Sequence, residues 1–418
     1  MKALWNIIKL ELLANLRSRA FFLLTAASVI WMLVMPSVVK SDGTDEGARQ
    51  LYVHYSLGGV FALVLVSLAA AAAGSLSRDR AAKRLQLTMV RPVRYFLIAA
   101  GRYLALLLIG ASELILAAGI LACKTDASRP CDHVLSPILP SVWEEAEDMY
   151  EVYMNDVETP KEVRAMSKED VVALLAAKAP DHYQTVGTNE TASWEFAYLG
   201  TADKLSVQLR FTNMYDTRED VNGHFYLGQA AGVVSNITQA VAKVPLSGVA
   251  GPSDGSARVL TFENHGGSSV MLRPRRDIQL LVEADSLAGN LTRATLELVA
   301  MLSVALAFAM FLGASLGRSV AVFAVITMLV LTALTPSVVA DADEFASEKM
   351  DRIGYKIAKF TEKFTRPLGA LEPLEKLAND VCVERAEVVR VMTLNLGVYP
   401  LLLLMLSALV IPRKQDGL

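Results

Sequence analysis

Six runs of this chain are apolar over a length that can cross a lipid bilayer, and nothing else in the sequence constrains its fold as strongly. A helix needs about 20 residues to cross a hydrocarbon core of roughly 30 Å. The runs are Ala20–Val39, Leu57–Leu76, Phe96–Ala122, Ala294–Leu316, Val320–Ala340 and Val391–Ile411. Each is predicted to be helical, because lipid offers no partner to an unpaired backbone N–H or C=O. Hydrophobic residues make up 53% of the 418 positions, so the expected fold class is an α-helical polytopic membrane protein with six transmembrane helices.

Lys2, Lys9, Arg17 and Arg19 precede the first run. That run is longer than a usual signal-peptide core and no small-x-small site closes it, so a retained span with a cytoplasmic N-terminus is expected. Threading six spans from there puts Arg78–Arg94, Arg318 and Arg413-Lys414 on the same side, where short basic loops stay. Residues 123–290 and 341–390 then fall outside. Within 1–19, Leu4, Ile7, Ile8, Leu12 and Leu13 recur at helical spacing with Lys2, Lys9, Glu11 and Arg17 off that face. This predicts an amphipathic helix at the inner interface, or a plain extension of the first span.

The remaining organisation follows the spans: 20–122 holds helices one to three, 291–340 helices four and five, and 391–418 the last helix and its tail. The outer segment 123–290 changes character midway. Its helical part, 140–180, contains Trp143–Asn155 and a Ser167-Lys168-Glu169-Asp170 capping signature before Val171–Lys178, with Pro180 as a stop. Its β-rich part, 190–285, alternates over Trp194–Leu199, Leu205–Tyr215, His224–Gly228, Ala257–Asn264 and Ser269–Ala284. The expectation is an extracytoplasmic α+β domain with a small β-sandwich. In 341–390, Ile353, Ile357, Phe360 and Phe364 share a helical face, and Pro367 and Pro373 are expected to break the helices there.

Between the second and third spans, Ser77–Arg94 sets Arg78, Arg80, Lys83, Arg84, Arg91 and Arg94 against Asp79 alone. Leu85, Leu87 and Met89 add an apolar edge and Pro92 closes the segment. It reads either as a docking element for a protein partner or as a solvated loop. Glu113, deep in the third span, and Glu297, about a turn inside the outer end of the fourth, are candidates for a translocation pathway. A carboxylate at mid-bilayer costs roughly 2.5–3.5 kcal/mol and normally faces a bundle interior, a partner or water. Glu297 is expected to reach the interface, and Arg102 to snorkel to the inner surface. Small residues at Ala69–Gly74, Gly101, Gly110, Gly119, Gly313 and Gly317 suit close helix packing or a dimer seam.

Other chemistry is sparse. The formal net charge is −3, with no clustered basic face for nucleic acid. No phosphate-cradling Gly-x-x-x-x-Gly-Lys-Ser/Thr is present, and no catalytic nucleophile is expected. His54, His133, His182, His224 and His265 show no i,i+4 pair or Cys/His ladder, so no metal is expected. Cys123, Cys131 and Cys382 all fall on the outer side, where a Cys123–Cys131 disulfide is one option.

Together the N-terminal helix, the six spans, the basic segment and the outer helices before the last span resemble the membrane subunit of the ATP-binding-cassette type-2 exporter family. There the coupling segment commonly reads Glu, then Gly-Thr-Leu-Glu-Leu-Leu-Leu, then Pro-Val-Ser. Here Asp79 stands at the Glu, Leu85-Gln86-Leu87 at Leu-Glu-Leu and Pro92-Val93 at Pro-Val, while Lys83-Arg84 replaces Gly-Thr and Arg94 replaces Ser. The outer domain resembles the helical-plus-β insert of some permease-like proteins of Gram-negative bacteria. The resemblance implies a multi-pass subunit of a bacterial inner membrane with both termini cytoplasmic, not catalytic by itself. Its partners would be a separate cytoplasmic ATPase carrying ATP and Mg, a second permease chain, membrane lipid and a periplasmic protein. Asp79, Arg80, Lys83, Arg84, Leu85, Leu87, Met89, Arg91 and Pro92 would couple hydrolysis to export of an amphipathic substrate. The alternative is a non-transporting receptor or scaffold whose outer β-domain binds an envelope partner.

Overall fold

The computed structural model describes residues 2–38, 45–81, 95–125, 129–156, 159, 161–164, 166–178, 183–197, 205–210, 212–213, 222–227, 230–234, 241–246, 258–267, 269–275, 277–345 and 372–413. They form two compact units. One is Met1–Arg129 with Ser286–Leu418, and the other is Pro130–Asp285.

The first unit is helical. Its elements are α1 (Lys2–Leu16), α2 (Arg19–Val38), α3 (Asp45–Ala81) and α4 (Tyr95–Lys124), followed after the second unit by α8 (Leu287–Ser315) and α9 (Arg318–Phe345). Then come α10 (Glu372–Ala378), α11 (Arg385–Met392), a π-helical turn (Thr393–Val398) and α12 (Tyr399–Arg413). Among the described residues five stretches are long and apolar enough to cross a membrane: Arg19–Val38, Gly47–Ser75, Tyr95–Lys124, Leu287–Ser315 and Arg385–Val410. In α9 the described apolar stretch is the shorter Ser319–Thr332. The second crossing begins earlier than Leu57 because α3 already starts at Asp45, and the last is interrupted by the π turn.

Helix α8 is the axis of this unit. It packs against α3, α4, α9, α10, α11 and α12, and its Leu298, Leu302, Leu306 and Met310 are fully buried at helical spacing. Two glycines set how closely it is approached. A Cβ on Gly313 would lie 2.2 Å from the Ala73 carbonyl oxygen of α3, and one on Gly110 of α4 would lie 2.3 Å from Leu302. Close approach of this kind, backbone to backbone at Gly313 and backbone to the Leu302 side chain at Gly110, is how apolar helices gain dispersion energy in a bilayer. The small residues Ala73, Gly110 and Gly313 therefore serve packing within one bundle.

One local expectation changes. On α1, Leu4, Ile7, Ile8 and Leu12 turn inward, but Glu11 lies on that same face while Leu13 is exposed. Pro373 lies in the first turn of α10, where its missing N–H has no intrahelical partner to lose.

The second unit begins with β1 (Pro130–Leu135) and a helical hairpin of α5 (Val142–Asn155) and α7 (Lys168–Lys178), with a single turn, α6 (Lys161–Arg164), between them. Ala146, Val171, Val172 and Leu175 form the hairpin core. The full capping box sits at Ser141 and Glu144, ahead of α5. At Ser167 the hydroxyl accepts the Asp170 N–H at 3.3 Å and donates to its carboxylate at 2.9 Å. Strands follow: β2 (Gln184–Val186), β3 (Thr191–Phe196), β4 (Leu205–Arg210), β5 (Thr212–Asn213), β6 (Gly223–Leu227), β7 (Ala230–Val234), β8 (Val241–Leu246), β9 (Arg258–Asn264), β10 (Val270–Leu272) and β11 (Ile278–Ser286). They assemble into sheets of order β1-β11-β4-β8, β2-β10-β5 and β3-β9-β6-β7. Alternation in β3 sends Ala192, Trp194 and Phe196 inward. There Phe225 and Phe262 stack with ring centroids 4.7 Å apart.

Cys123, in the last turn of α4, is an exposed free thiol. Cys131 and Cys382 are the disulfide-bonded cysteines. The Cys123–Cys131 bridge expected as an option is thus not formed.

Candidate functional site

Among the described residues four sets of polar groups tie helices of the first unit together, and the first lies where α1, α3 and α4 meet. Arg102, about two turns into α4, pairs with Glu11 of α1 (Nε to Oε1 2.8 Å) and donates from Nη1 to the Ser75 carbonyl of α3 at 3.2 Å. Its side chain is only 13% exposed. It does not snorkel to the surface as expected. Glu11 is drawn onto the packed face of α1 because a buried guanidinium needs a carboxylate partner. The three helices are therefore latched at the end of the bundle where α3 leaves and α4 returns.

Of the residues expected to couple to an ATPase, Asp79 and Arg80 lie in the final turns of α3. Lys83, Arg84, Leu85, Leu87, Met89, Arg91 and Pro92 lie outside the described residues, as do Ile353, Ile357, Phe360, Phe364 and Pro367. The latch lies on α3 and α4, the two helices that residues 82–94 connect in sequence.

Glu113 is 2% exposed and forms the second set. The Thr25 hydroxyl of α2 donates to its Oε1, and the same hydroxyl lies 3.1 Å from the Phe21 carbonyl. Oε2 has no hydrogen-bond partner among the described residues. A carboxyl held this way, between two apolar helices with one oxygen unsatisfied, can exchange a proton or accept a transient partner.

Glu297 belongs to a third set, under a cap made by α10, α11 and the turn between them. Asn290 of α8 is fully buried and fastens that turn, donating to the Val381 carbonyl and accepting the Val383 N–H, both at 2.7 Å. Arg49 of α3 grips Asp380 with both terminal nitrogens, Nη1 to Oδ1 at 2.6 Å. Asp380 adopts φ 56°, a left-handed conformation that Asp tolerates better than most residues. Lys376 of α10 then bridges to Glu387 of α11 at 2.7 Å. Beneath this lid Glu297 is 2% exposed, its Oε1 without a hydrogen-bond partner among the described residues, and Glu387, Lys376 and Glu372 are charged groups acting on it. It does not reach an interface, contrary to expectation, because the cap covers it.

The fourth set was not anticipated. Tyr103 of α4 shares a hydrogen bond of 2.5 Å with Ser303 of α8, whose hydroxyl also reaches the Asn395 carbonyl at 2.7 Å. Asn395 sits in the π-helical turn. A π turn shifts the ladder from i→i+4 to i→i+5, a geometry that recurs at functional sites. Its signal in the sequence is a polar residue within an apolar run, as it is for Ser303.

Glu113 and Glu297 thus have separate neighbours, α2 for one and the α10–α11 cap for the other, and do not form a catalytic pair with each other. In the second unit, His224 and His265, distant in sequence, come to 4.9 Å between ring centroids, with Glu263 3.3 Å from His265. Among the described residues no group of three or more His, Cys, Asp or Glu is arranged to hold a metal ion. Comparison with known proteins adds no relative: no family model, no curated protein and no solved structure matches the chain.

Proposed function

We propose that this chain is the permease subunit of an ATP-binding-cassette exporter in a bacterial inner membrane. The observation that carries the reading is the Glu11–Arg102–Ser75 latch. Residues 82–94 join α3 to α4, and the latch ties the end of α3, the start of α4 and the N-terminal helix into one mechanical element. A push on the segment around Asp79–Pro92 is delivered to both spans at once, as transmission from an ATPase requires. The segment's basic residues supply charge complementarity to the partner, while Leu85, Leu87 and Met89 supply apolar contact.

On this reading α9 provides a sixth crossing through Val320–Ala340, and a second permease chain completes the assembly. ATP and Mg reside on the partner, because this chain has no phosphate loop. Nucleotide biases a two-state bundle, and the coupling free energy equals the differential affinity of the ATPase for the two states. Glu113 and Glu297, with unsatisfied oxygens inside the bundle, are the groups whose surroundings must change as it rearranges. The strand-rich unit is a small sandwich on the envelope side, placed to meet a periplasmic partner, and the exported substrate is amphipathic.

The test is co-purification from native membranes with nucleotide present. Wild type brings down an ATPase. Leu85→Asp with Leu87→Asp loses it, and Arg102→Gln retains it while lowering its transport-coupled activity. If no ATPase accompanies the wild type, the chain is a receptor or scaffold that binds through its strand-rich unit.

A further inference from the structure

An apolar cavity of about 360 Å³ opens on the side of the helical unit, lined from α2 by Trp31, from α3 by residues of 54–66, from α9 by residues of 326–332 and from α10 by Leu374. Its α3 wall is one helical face: His54, Tyr55, Gly58, Gly59, Phe61, Ala62, Leu65 and Val66. Gly59 makes room for Trp31, since a Cβ there would lie 2.0 Å from the indole nitrogen. The indole crosses the glycine and donates to the Tyr55 carbonyl at 3.0 Å.

The lining is poor in free polar groups. Trp31 N–H is spent on Tyr55, and the Thr332 hydroxyl on the Met328 carbonyl at 2.8 Å. A trapped water needs two to four polar partners, and an apolar cavity without them stays dry and takes apolar guests. Polarity is also graded. Trp31, His54 and Tyr55 gather at one end, where α2 finishes and α3 begins, and Leu65 and Val66 lie at the other. From His54 to Val66 the wall runs about 18 Å at the helical rise. A hydrocarbon core of roughly 30 Å gives each leaflet about 15 Å, so the wall is long enough for one acyl chain. Val66, Ile326 and Val330 at its rim are exposed, as lipid-facing residues of a spanning helix are.

We infer that this cavity binds one acyl chain of a membrane phospholipid, entering sideways from the bilayer with its headgroup at the His54 end. Length, dryness and the polar-to-apolar gradient each suit a single chain with one polar end, and a soluble ligand would have to cross lipid to reach the opening. The site does not depend on the exporter reading, because it requires only that these helices stand in a bilayer.

The test uses the full chain in nanodiscs made with a phospholipid that carries a diazirine near the end of one acyl chain. After illumination, adducts concentrate on peptides covering 54–66 and 326–332, above the level on the exposed α4 residues Leu108 and Ile115. Ala62→Trp, at an exposed position on the cavity wall, reduces those adducts to the α4 level, and Val330→Trp does the same from the opposite wall. A second readout needs no cavity variant: with Trp5, Trp143 and Trp194 replaced by Phe, an acyl-brominated phospholipid quenches Trp31 fluorescence. Adducts spread evenly over all lipid-facing helices, or unchanged by both variants, would reduce the cavity to ordinary lipid contact and overturn the inference. Absent labelling, with a changed oligomer mass in the variants, would overturn it in favour of a second copy of the chain.

Discussion

The helical unit and the strand-rich unit solve opposite solvation problems. In the helical unit the largest apolar side chains include many exposed ones, such as Phe22, Leu23, Phe323 and Leu409, whereas Asn290, Ser303, Glu113 and Glu297 are buried. In the strand-rich unit Phe196, Phe225, Leu227, Leu260 and Phe262 are fully buried, while the Arg275–Glu145 pair is partly exposed and Lys243 reaches buried Asp132 from a half-exposed position. Water drives apolar groups inward in one unit. In lipid that drive is absent, so association of the helices relies on close backbone approach and internal polar bonds. One chain therefore carries two different rules for what a buried residue means.

That contrast predicts where truncation and enlargement hurt most. Phe262→Ala removes a ring from a stacked, water-excluded core and is expected to cost about 3–5 kcal/mol. Limited proteolysis then cuts within 130–285, while the detergent melting of the helical unit is unchanged. Gly313→Val does the reverse. Its side chain must displace the Ala73 backbone and separate α8 from α3, at an expected cost of about 1–3 kcal/mol. Melting of the detergent-solubilised helices falls, and protection of 130–285 stays. If either substitution loosened both units together, the two would share one cooperative core, and the comparison would fail.

The same contrast explains what the sequence made legible. Five of the spans are legible because a long apolar run has few alternatives, and β3, β6 and β9 because alternation with aromatic residues marks a half-buried strand. Strand β8 was missed since Pro245 argues against a strand, yet β8 is an edge of its sheet, where the missing N–H costs no ladder bond. Strand β7, Ala-Ala-Gly-Val-Val, carries no alternation, and β2 is three residues long. Glu113 and Glu297 stood out as charges in apolar runs, but their partners did not. Thr25, Lys376 and Val381 lie on other helices, and only the fold brings them near. Glu11 was placed off the packed face for the same reason, because Arg102 is far along the chain.

The finest difference between the units is how a carboxylate is held. Glu144 of α5 is exposed, accepts the Ser141 N–H on its carboxylate at 2.8 Å, and donates its own N–H to the Ser141 hydroxyl at 3.2 Å. The bonds from Ser141 hold its carboxyl below the ordinary value of 4.5. A folded pKa lower than the unfolded one means that the unfolded state binds more protons as the pH drops. The cap's contribution is therefore complete above the unfolded value and is lost as pH falls through the folded one. Amide exchange at Trp143–Glu145, corrected for intrinsic rates, should keep its protection from neutrality to about pH 5 and lose it below. In Glu144→Gln the protection is lower at neutral pH and does not change across that window, because the capping carboxylate is gone. An unchanged acid loss in that variant would shift the effect to another carboxylate of the hairpin and leave the water-facing cap without its electrostatic part. This is the smallest of the expected effects, since water competes for every bond that an exposed carboxylate makes.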